Sequence, residues 1–258
     1  MGIATRTLLS GHDMPLFGLG TWQLQGDACT QAVPMALEMG YELIDTADDY
    51  ANHEQVAAGI AGFDRSKLFI TSKVFRHDLH YDDVLSTCER TLGELATDYV
   101  DLYLIHWPNE EIPVQETLRA MAKLVEDGMA RSIGVSNFTV PLLEEALSVT
   151  EVPICNNQIS LNPMKYDREL VEFCQERDIL VTAYSPLARG GVFENEVIVA
   201  VAEDIGKTPG QVALRWLVQK GLVVIPKASS ESHLRENLDL FSWELSPDHE
   251  AKIDALTA

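Results

Sequence analysis

Short apolar runs alternate with longer amphipathic stretches along most of the chain. Leu43-Ile44, Leu68 to Val74, Val100 to Ile105, Arg131 to Val135, Pro153 to Gln158, Ile179 to Ala183 and Val223 to Ile225 read as strands buried on both faces. Gly18-Leu19-Gly20-Thr21-Trp22 precedes them as the first of the set. Helical patterns lie between. Over Tyr81 to Leu95 the residues Val84, Leu85, Cys88, Leu92 and Leu95 recur at helical spacing. Helices are also predicted from an Asp27 cap through Met39, over Glu54 to Ile60, Val114 to Glu126, Pro141 to Leu147 and Arg168 to Gln175. The last ones run in two pieces to Gln219, then over His233 to Leu238 and Pro247 to Leu256. Gly40 and Gly128 are placed to end helices. At the start, Thr7-Leu8-Leu9 and Pro15-Leu16-Phe17 flank Gly11-His12-Asp13 as a hairpin.

Strands and helices taking turns predict a parallel sheet. No G-x-G-x-x-G follows the first strand, and no linker or low-complexity tract divides the chain. The expected fold is therefore a closed (β/α)8 TIM barrel with an N-terminal β-hairpin, a single domain over residues 1–258, and not a doubly wound sheet.

Composition narrows the function. The chain carries a formal charge of −21. Such a field opposes binding to nucleic acid and to anionic membranes. It fits a salt-rich cytoplasm or an ordinary acidic protein, and both readings stay open. No apolar run is long enough to span a membrane. Met1 to Ser10 lacks the pattern of a signal peptide. Cys29, Cys88, Cys155 and Cys174 stand far apart, which implies reduced thiols in a cytoplasmic protein.

The candidate chemistry lies where strands end, because a barrel of this kind builds its site from the βα loops. Asp45, Lys73 and His106 end the second, third and fourth strands, and Tyr50 lies in the loop after the second. Each alone has a bland reading, as a buried histidine or a structural ion pair. Together they form a proton-handling set. A free phenol titrates near ~10, and a neighbouring ammonium is expected to lower that value. Asp45 would hold Lys73 charged, and His106 would donate to a carbonyl oxygen. Tyr50 would protonate that oxygen as it gains charge. The set has neither a nucleophile for acyl transfer nor a three-ligand metal cluster; protonating the oxygen leaves the carbon to be attacked by something else, and a bound hydride donor fits.

These residues sit within motifs that resemble the aldo-keto reductase family, in particular its short prokaryotic members of the diketogluconate reductase group. The motifs are Asp45-Thr46-Ala47 with Tyr50 and Asn52, Asp101-Leu102 with His106-Trp107-Pro108, Gly134-Val135-Ser136-Asn137-Phe138, Asn157-Gln158, Ala183-Tyr184-Ser185-Pro186-Leu187, and Ile225-Pro226-Lys227. The resemblance implies a catalytic tetrad of Asp45, Tyr50, Lys73 and His106, with NADPH extended across the barrel mouth. It places Thr21 in the cofactor site. Ser136, Asn137 and Gln158 are implied at the carboxamide, Tyr184 on the nicotinamide ring, and Ser185 and Leu187 at the pyrophosphate. Lys227, Ser229 and Ser230 are implied at the adenosine ribose and its phosphate, with Glu236 and Asn237 near the adenine. Trp22, Phe75 and Trp107 would wall the pocket for a small carbonyl substrate.

Departures from the family pattern shape further expectations. His233 stands where relatives carry Arg facing the 2′-phosphate, so NADH use is expected beside NADPH. Ala228 replaces a common Ser and removes a hydroxyl from that pocket. Arg235 is expected to point elsewhere on its helix. His53 stands where Glu is usual and is expected at the surface. The short stretch after the last helix, to Ala258, and the short loop Asn109 to Pro113 predict an open site of broad acceptance. A monomer is the default for the family. Two other readings stay open: a cofactor-binding regulatory protein with little turnover, and a lyase or isomerase using Lys73 as a Schiff base.

Overall fold

The computed structural model describes residues 2–257, so the sequence expectations at Met1 and Ala258 lie outside the described residues. Among the described residues, ten strands and ten α-helices follow in order. The hairpin pairs β1 (Thr5–Thr7) with β2 (Asp13–Pro15) in antiparallel register. It is shifted from the expected positions, because Leu8 and Leu16 turn into the core beside it. The barrel strands are β3 (Gly18–Gly20), β4 (Leu43–Asp45), β5 (Phe69–Val74), β6 (Leu102–Ile105), β7 (Ile133–Ser136), β8 (Ile154–Ser160), β9 (Leu180–Tyr184) and β10 (Val223–Val224). All neighbours pair in parallel. Closure between β10 and β3 rests on a parallel bridge of Phe17 with Val224 and on Val224 N–H donating to the Leu16 carbonyl at 3.0 Å. Gly20 permits this approach: a Cβ there would lie 2.5 Å from the Ile225 carbonyl oxygen.

The helices α1 (Gly26–Glu38), α2 (His53–Ile60), α3 (Tyr81–Leu95), α4 (Val114–Glu126), α5 (Val140–Val149), α6 (Arg168–Gln175), α7 (Glu196–Ile205), α8 (Pro209–Gln219), α9 (Glu231–Leu238) and α10 (Pro247–Asp254) wrap the sheet. In α3 the buried positions Val84, Cys88, Leu92 and Leu95 form the expected stripe. The cap of α1 is Gln25, and Asp27 lies inside its first turn, where a carboxylate still favours the helix dipole. Thr208 and Gln211 form a reciprocal capping box on α8.

Apolar side chains pack both faces of the barrel sheet, among them Leu19, Leu43, Ile44, Ile70, Leu102 and Leu104, each essentially inaccessible. Asp101 is buried among them at the base of β6. Its carboxylate accepts the Ile70 N–H at 2.9 Å and pairs with Arg65 at 2.8 Å and Arg131 at 3.1 Å. The Asp101-Leu102 motif is thus a structural clamp on β5 and β6. All four cysteines are free and buried. Among the described residues no helix is long and apolar enough to cross a membrane.

Candidate active site

Parallel strands carry their C-terminal ends to one rim, so Asp45 of β4, Lys73 of β5, His106 after β6 and Gln158 of β8 share that rim. Lys73 is fully inaccessible, and its Nζ donates to Asp45 Oδ1 at 2.6 Å and to the Thr46 carbonyl at 2.7 Å. A third donor direction reaches the Tyr50 hydroxyl at 3.4 Å. Burial pulls the Lys73 pKa down, and the Asp45 carboxylate opposes that pull. A buried ammonium is tolerated here because it meets a carboxylate and a carbonyl.

Tyr50 ends a single 3-10 turn over Asp48–Tyr50, followed by Ala51 in left-handed backbone at φ 49°. Asn52 then locks the turn. Its side-chain amide donates to the Thr21 and Leu24 carbonyls at 2.9 and 3.0 Å, and its oxygen accepts from the Thr46 hydroxyl at 2.7 Å. Gln25 adds a bond to the Tyr50 carbonyl at 2.6 Å. The Tyr50 ring meets His106 edge-on at 5.6 Å between centroids.

The acidity of Tyr50 differs from the sequence expectation. Burial, then the Asp45 carboxylate, hold its pKa well above the ordinary phenol value. The Lys73 ammonium, paired with Asp45, does not reverse that direction. The phenol therefore holds its proton throughout the neutral range. His106 moves the other way: burial and the Lys73 charge lower its pKa to about 3. Its Nδ1 is buried without a partner, which leaves Nε2 for the cavity. A neutral ring with the proton on Nε2 avoids burying an unpaired N–H.

A cleft of about 680 Å³ opens on this rim. Of the residues singled out from sequence, Trp22, Asp45, Tyr50, His106, Trp107, Ser136, Asn137, Gln158, Tyr184, Ser185, Leu187 and Lys227 line it. Trp22 and Trp107 keep 41% and 42% of their surface exposed, as walls of an open mouth do. Phe75 stands behind the wall, its ring 5.7 Å from that of His106. Thr21 lies beneath the floor, its hydroxyl donating to the Asp45 carbonyl at 2.9 Å. Ser136 donates to the Gln158 carbonyl at 2.7 Å, and Asn137 donates to the His106 carbonyl at 3.0 Å. The Tyr184 hydroxyl donates to Asn137 Oδ1 at 2.9 Å. Gln158 Nε2 donates to Asp45 Oδ2 at 2.7 Å, so its free acceptor is Oε1.

The remaining candidates lie off the cleft lining. Ser229 and His233 are exposed, and Ser230 is the N-cap of α9, its hydroxyl accepting the His233 N–H at 3.4 Å. Glu236 accepts from the Thr208 hydroxyl at 2.7 Å, and Asn237 is buried. Ala228 packs into the apolar core and leaves the exposed face to its neighbours. Arg235 pairs with Glu231 at 2.8 Å.

His53 corrects the sequence reading. It is 2% exposed, with Nδ1 2.9 Å from Glu94 and Nε2 3.0 Å from the Ser72 hydroxyl. Burial lowers its pKa, and Glu94 opposes that. Asp48, His53 and Glu94 approach one another, and Arg90 supplies positive charge to both carboxylates, at 2.8 Å from Asp48 and 3.8 Å from Glu94. The Tyr50 turn is thereby pinned to α3. Sequence reasoning also missed Gln23, Asp49, Arg189, Gly190 and Phe193, which line the cleft. The Arg189-Gly190-Gly191 run in the long loop after β9 was the available signal.

A parallel barrel with a buried ammonium, a carboxylate, a phenol and an imidazole gathered at its C-terminal rim has the layout of a proton-handling barrel enzyme. The aldo/keto reductase family model matches residues 16–258. A glyoxal reductase of Bacillus subtilis is 44% identical over 255 residues, covering 98% of this chain and 92% of that protein. An NAD(P)H-dependent D-xylose reductase of Scheffersomyces stipitis is 37% identical over 294 aligned positions, covering 96% and 92%. The crystal structure of an aldo/keto reductase from Brucella melitensis superposes with a TM-score of 0.94 at 38% identity, covering 98% and 99%. The chain belongs to the aldo/keto reductase family of carbonyl-reducing oxidoreductases.

Proposed function

We propose that this protein reduces small aldehydes, ketones or dicarbonyls to alcohols with NADPH or NADH, and that Tyr50 gives the proton. The observation that carries the reading is the position of Lys73 Nζ, bound to Asp45 and facing the Tyr50 hydroxyl on a rim shared with His106.

The cleft suits a nicotinamide dinucleotide. His106 follows β6 and Lys227 follows β10, four strands apart around the barrel, so the cleft crosses the mouth. It offers the Tyr184 ring for stacking, Gln158 Oε1 as an acceptor for an amide N–H, and Lys227 as a cation toward phosphate. A bound nicotinamide would supply hydride to the carbonyl carbon.

The chain's own residues handle the oxygen. His106, neutral, donates from Nε2 and orients the carbonyl. Tyr50, kept protonated by burial, transfers its proton as the oxygen gains charge. The phenolate that forms is stabilised by Lys73, whose charge Asp45 maintains. A carboxylate and a carbonyl hold the Lys73 ammonium below the floor, which weighs against a Schiff base at that nitrogen. The relative named for glyoxal reduction supports dicarbonyls as a substrate class.

The test is loss of NADPH or NADH absorbance with glyoxal, methylglyoxal and glyceraldehyde as substrates. Turnover with any of them supports the reading. Nucleotide binding without turnover across the panel would favour a regulatory protein.

A further inference from the structure

We propose that His53 is a positioning residue for the carbonyl reduction: held to the outer face of β5 through Ser72, it sets the Tyr50 hydroxyl against Lys73. The inference rests on the carbonyl-reductase reading above and adds to it a residue outside the cleft lining.

The phenol and the ammonium stand at the limit of contact. Lys73 Nζ is fixed by Asp45 Oδ1 and the Thr46 carbonyl, at 2.6 and 2.7 Å, and meets the Tyr50 hydroxyl at 3.4 Å. Good hydrogen bonds from nitrogen end near ~3.2 Å. A small shift of the Tyr50 turn away from β5 would therefore end the contact.

His53 opposes that shift. Ser72 and Lys73 are consecutive on β5, so their side chains leave opposite faces of the strand. Lys73 reaches Asp45 and Tyr50 on the inner face, and Ser72 is turned to the helices. His53 opens α2, and its Nε2 lies 3.0 Å from the Ser72 hydroxyl. Its Nδ1 lies 2.9 Å from Glu94 Oε2 on α3. A carboxylate only accepts, and burial disfavours a charged ring. Nδ1 therefore carries the proton, and Nε2 accepts from the Ser72 hydroxyl.

The segment between Tyr50 and His53 has little slack. Ala51 is left-handed at φ 49°, and Asn52 is buried with side-chain bonds at 2.7, 2.9 and 3.0 Å. Asp48, at the start of the turn, is held by Arg90 of α3 at 2.8 Å. Asn52 and Gln25 tie the turn to the segment between β3 and α1. His53 ties it to β5, at the residue before Lys73. His53 is 2% exposed and Ser72 is inaccessible, so solvent does not stand in for their bond.

The test follows single-turnover reduction of methylglyoxal with saturating NADPH. The full-length wild type is measured beside His53→Leu, His53→Gln, His53→Asn and Ser72→Ala. His53→Leu is expected to lower the maximal rate at least about tenfold, because small misplacements of a reacting group are costly. The solvent deuterium isotope effect is expected to rise. The half-saturating methylglyoxal concentration and the NADPH Kd are expected to stay within about twofold. Rescue separates the two bonds. His53→Gln keeps an acceptor near the Nε2 position and is expected to retain most of the rate. His53→Asn keeps only a donor near the Nδ1 position and is expected to retain little. Ser72→Ala breaks the same bond from β5 and is expected to repeat the pattern, which keeps the test open should His53→Leu fail to fold. Rates within about twofold of wild type in His53→Leu or Ser72→Ala would overturn the inference. So would a slower step that comes with weakened nucleotide binding and is relieved equally in His53→Gln and His53→Asn, which would make His53 a support of the fold alone. A wild type that reduces none of methylglyoxal, glyoxal and glyceraldehyde would overturn the reductase reading, and the inference with it.

Discussion

Gln158 Nε2 donates to Asp45 Oδ2 at 2.7 Å and so joins β8 to β4, four strands away across the barrel. The other carboxylate oxygen faces Lys73 at 2.6 Å. One buried aspartate thus fixes the ammonium on one side and a cleft-lining amide on the other.

Gln158→Leu removes that donor and leaves Asp45 Oδ2 without a partner. A buried acceptor so stranded costs about 1–3 kcal/mol. Urea unfolding at neutral pH is expected to show that loss, together with weaker nucleotide binding from the missing Oε1.

His106 gives a pH signature. Its native pKa of about 3 lies below the free-histidine value near ~6.5. As pH falls, the unfolded chain takes the proton first, so stability is lost from about 6.5 down to about 3. His106→Asn is expected to lose less stability than wild type over that interval, measured by denaturant midpoints. Because the ring stays neutral, the kcat profile of the wild type is expected to show no histidine inflection between about pH 5 and 8.

His53 and Glu94 form a close pair whose coupling is measurable. His53→Glu would set two carboxylates where Nδ1 now lies 2.9 Å from Glu94 Oε2. The expected cost is about 1–3 kcal/mol, and Glu94→Gln in the same chain is expected to recover most of it. A double-mutant cycle measures that coupling.

His233 is exposed on α9, and its neighbour Arg235 is engaged by Glu231. His233→Arg adds a permanent bidentate cation. NADPH affinity is expected to rise while NADH affinity stays nearly level, read by fluorescence titration. An equal change in both would remove His233 from the phosphate pocket.

Much of this molecule is legible in its sequence. The patterns over Tyr81–Leu95, Val114–Glu126 and Arg168–Gln175 predict helices with those same ends, because amphipathic spacing marks both face and length. Strand ends are displaced by a residue or two, since a ladder is defined by its neighbour and not by apolar runs alone. Lys73 and His106 are readable because each closes a β-like run. His53 is not, since its burial depends on Glu94 and Ser72, distant in the chain. For Arg189 and Phe193 the Gly190-Gly191 pair marks only a loop, and the left-handed turns at Ala188 and Arg189 that shape it carry no glycine signal. The Tyr50 acidity is misjudged because sequence shows the ammonium but not the burial that raises the phenol pKa.

The most direct measurement is single-turnover reduction of methylglyoxal by Tyr50→Phe, with NADPH binding followed in parallel. Loss of a general acid predicts a fall of at least ~10²-fold in the rate with nucleotide affinity retained. Near-normal turnover by the variant would contradict the assignment of the proton to Tyr50.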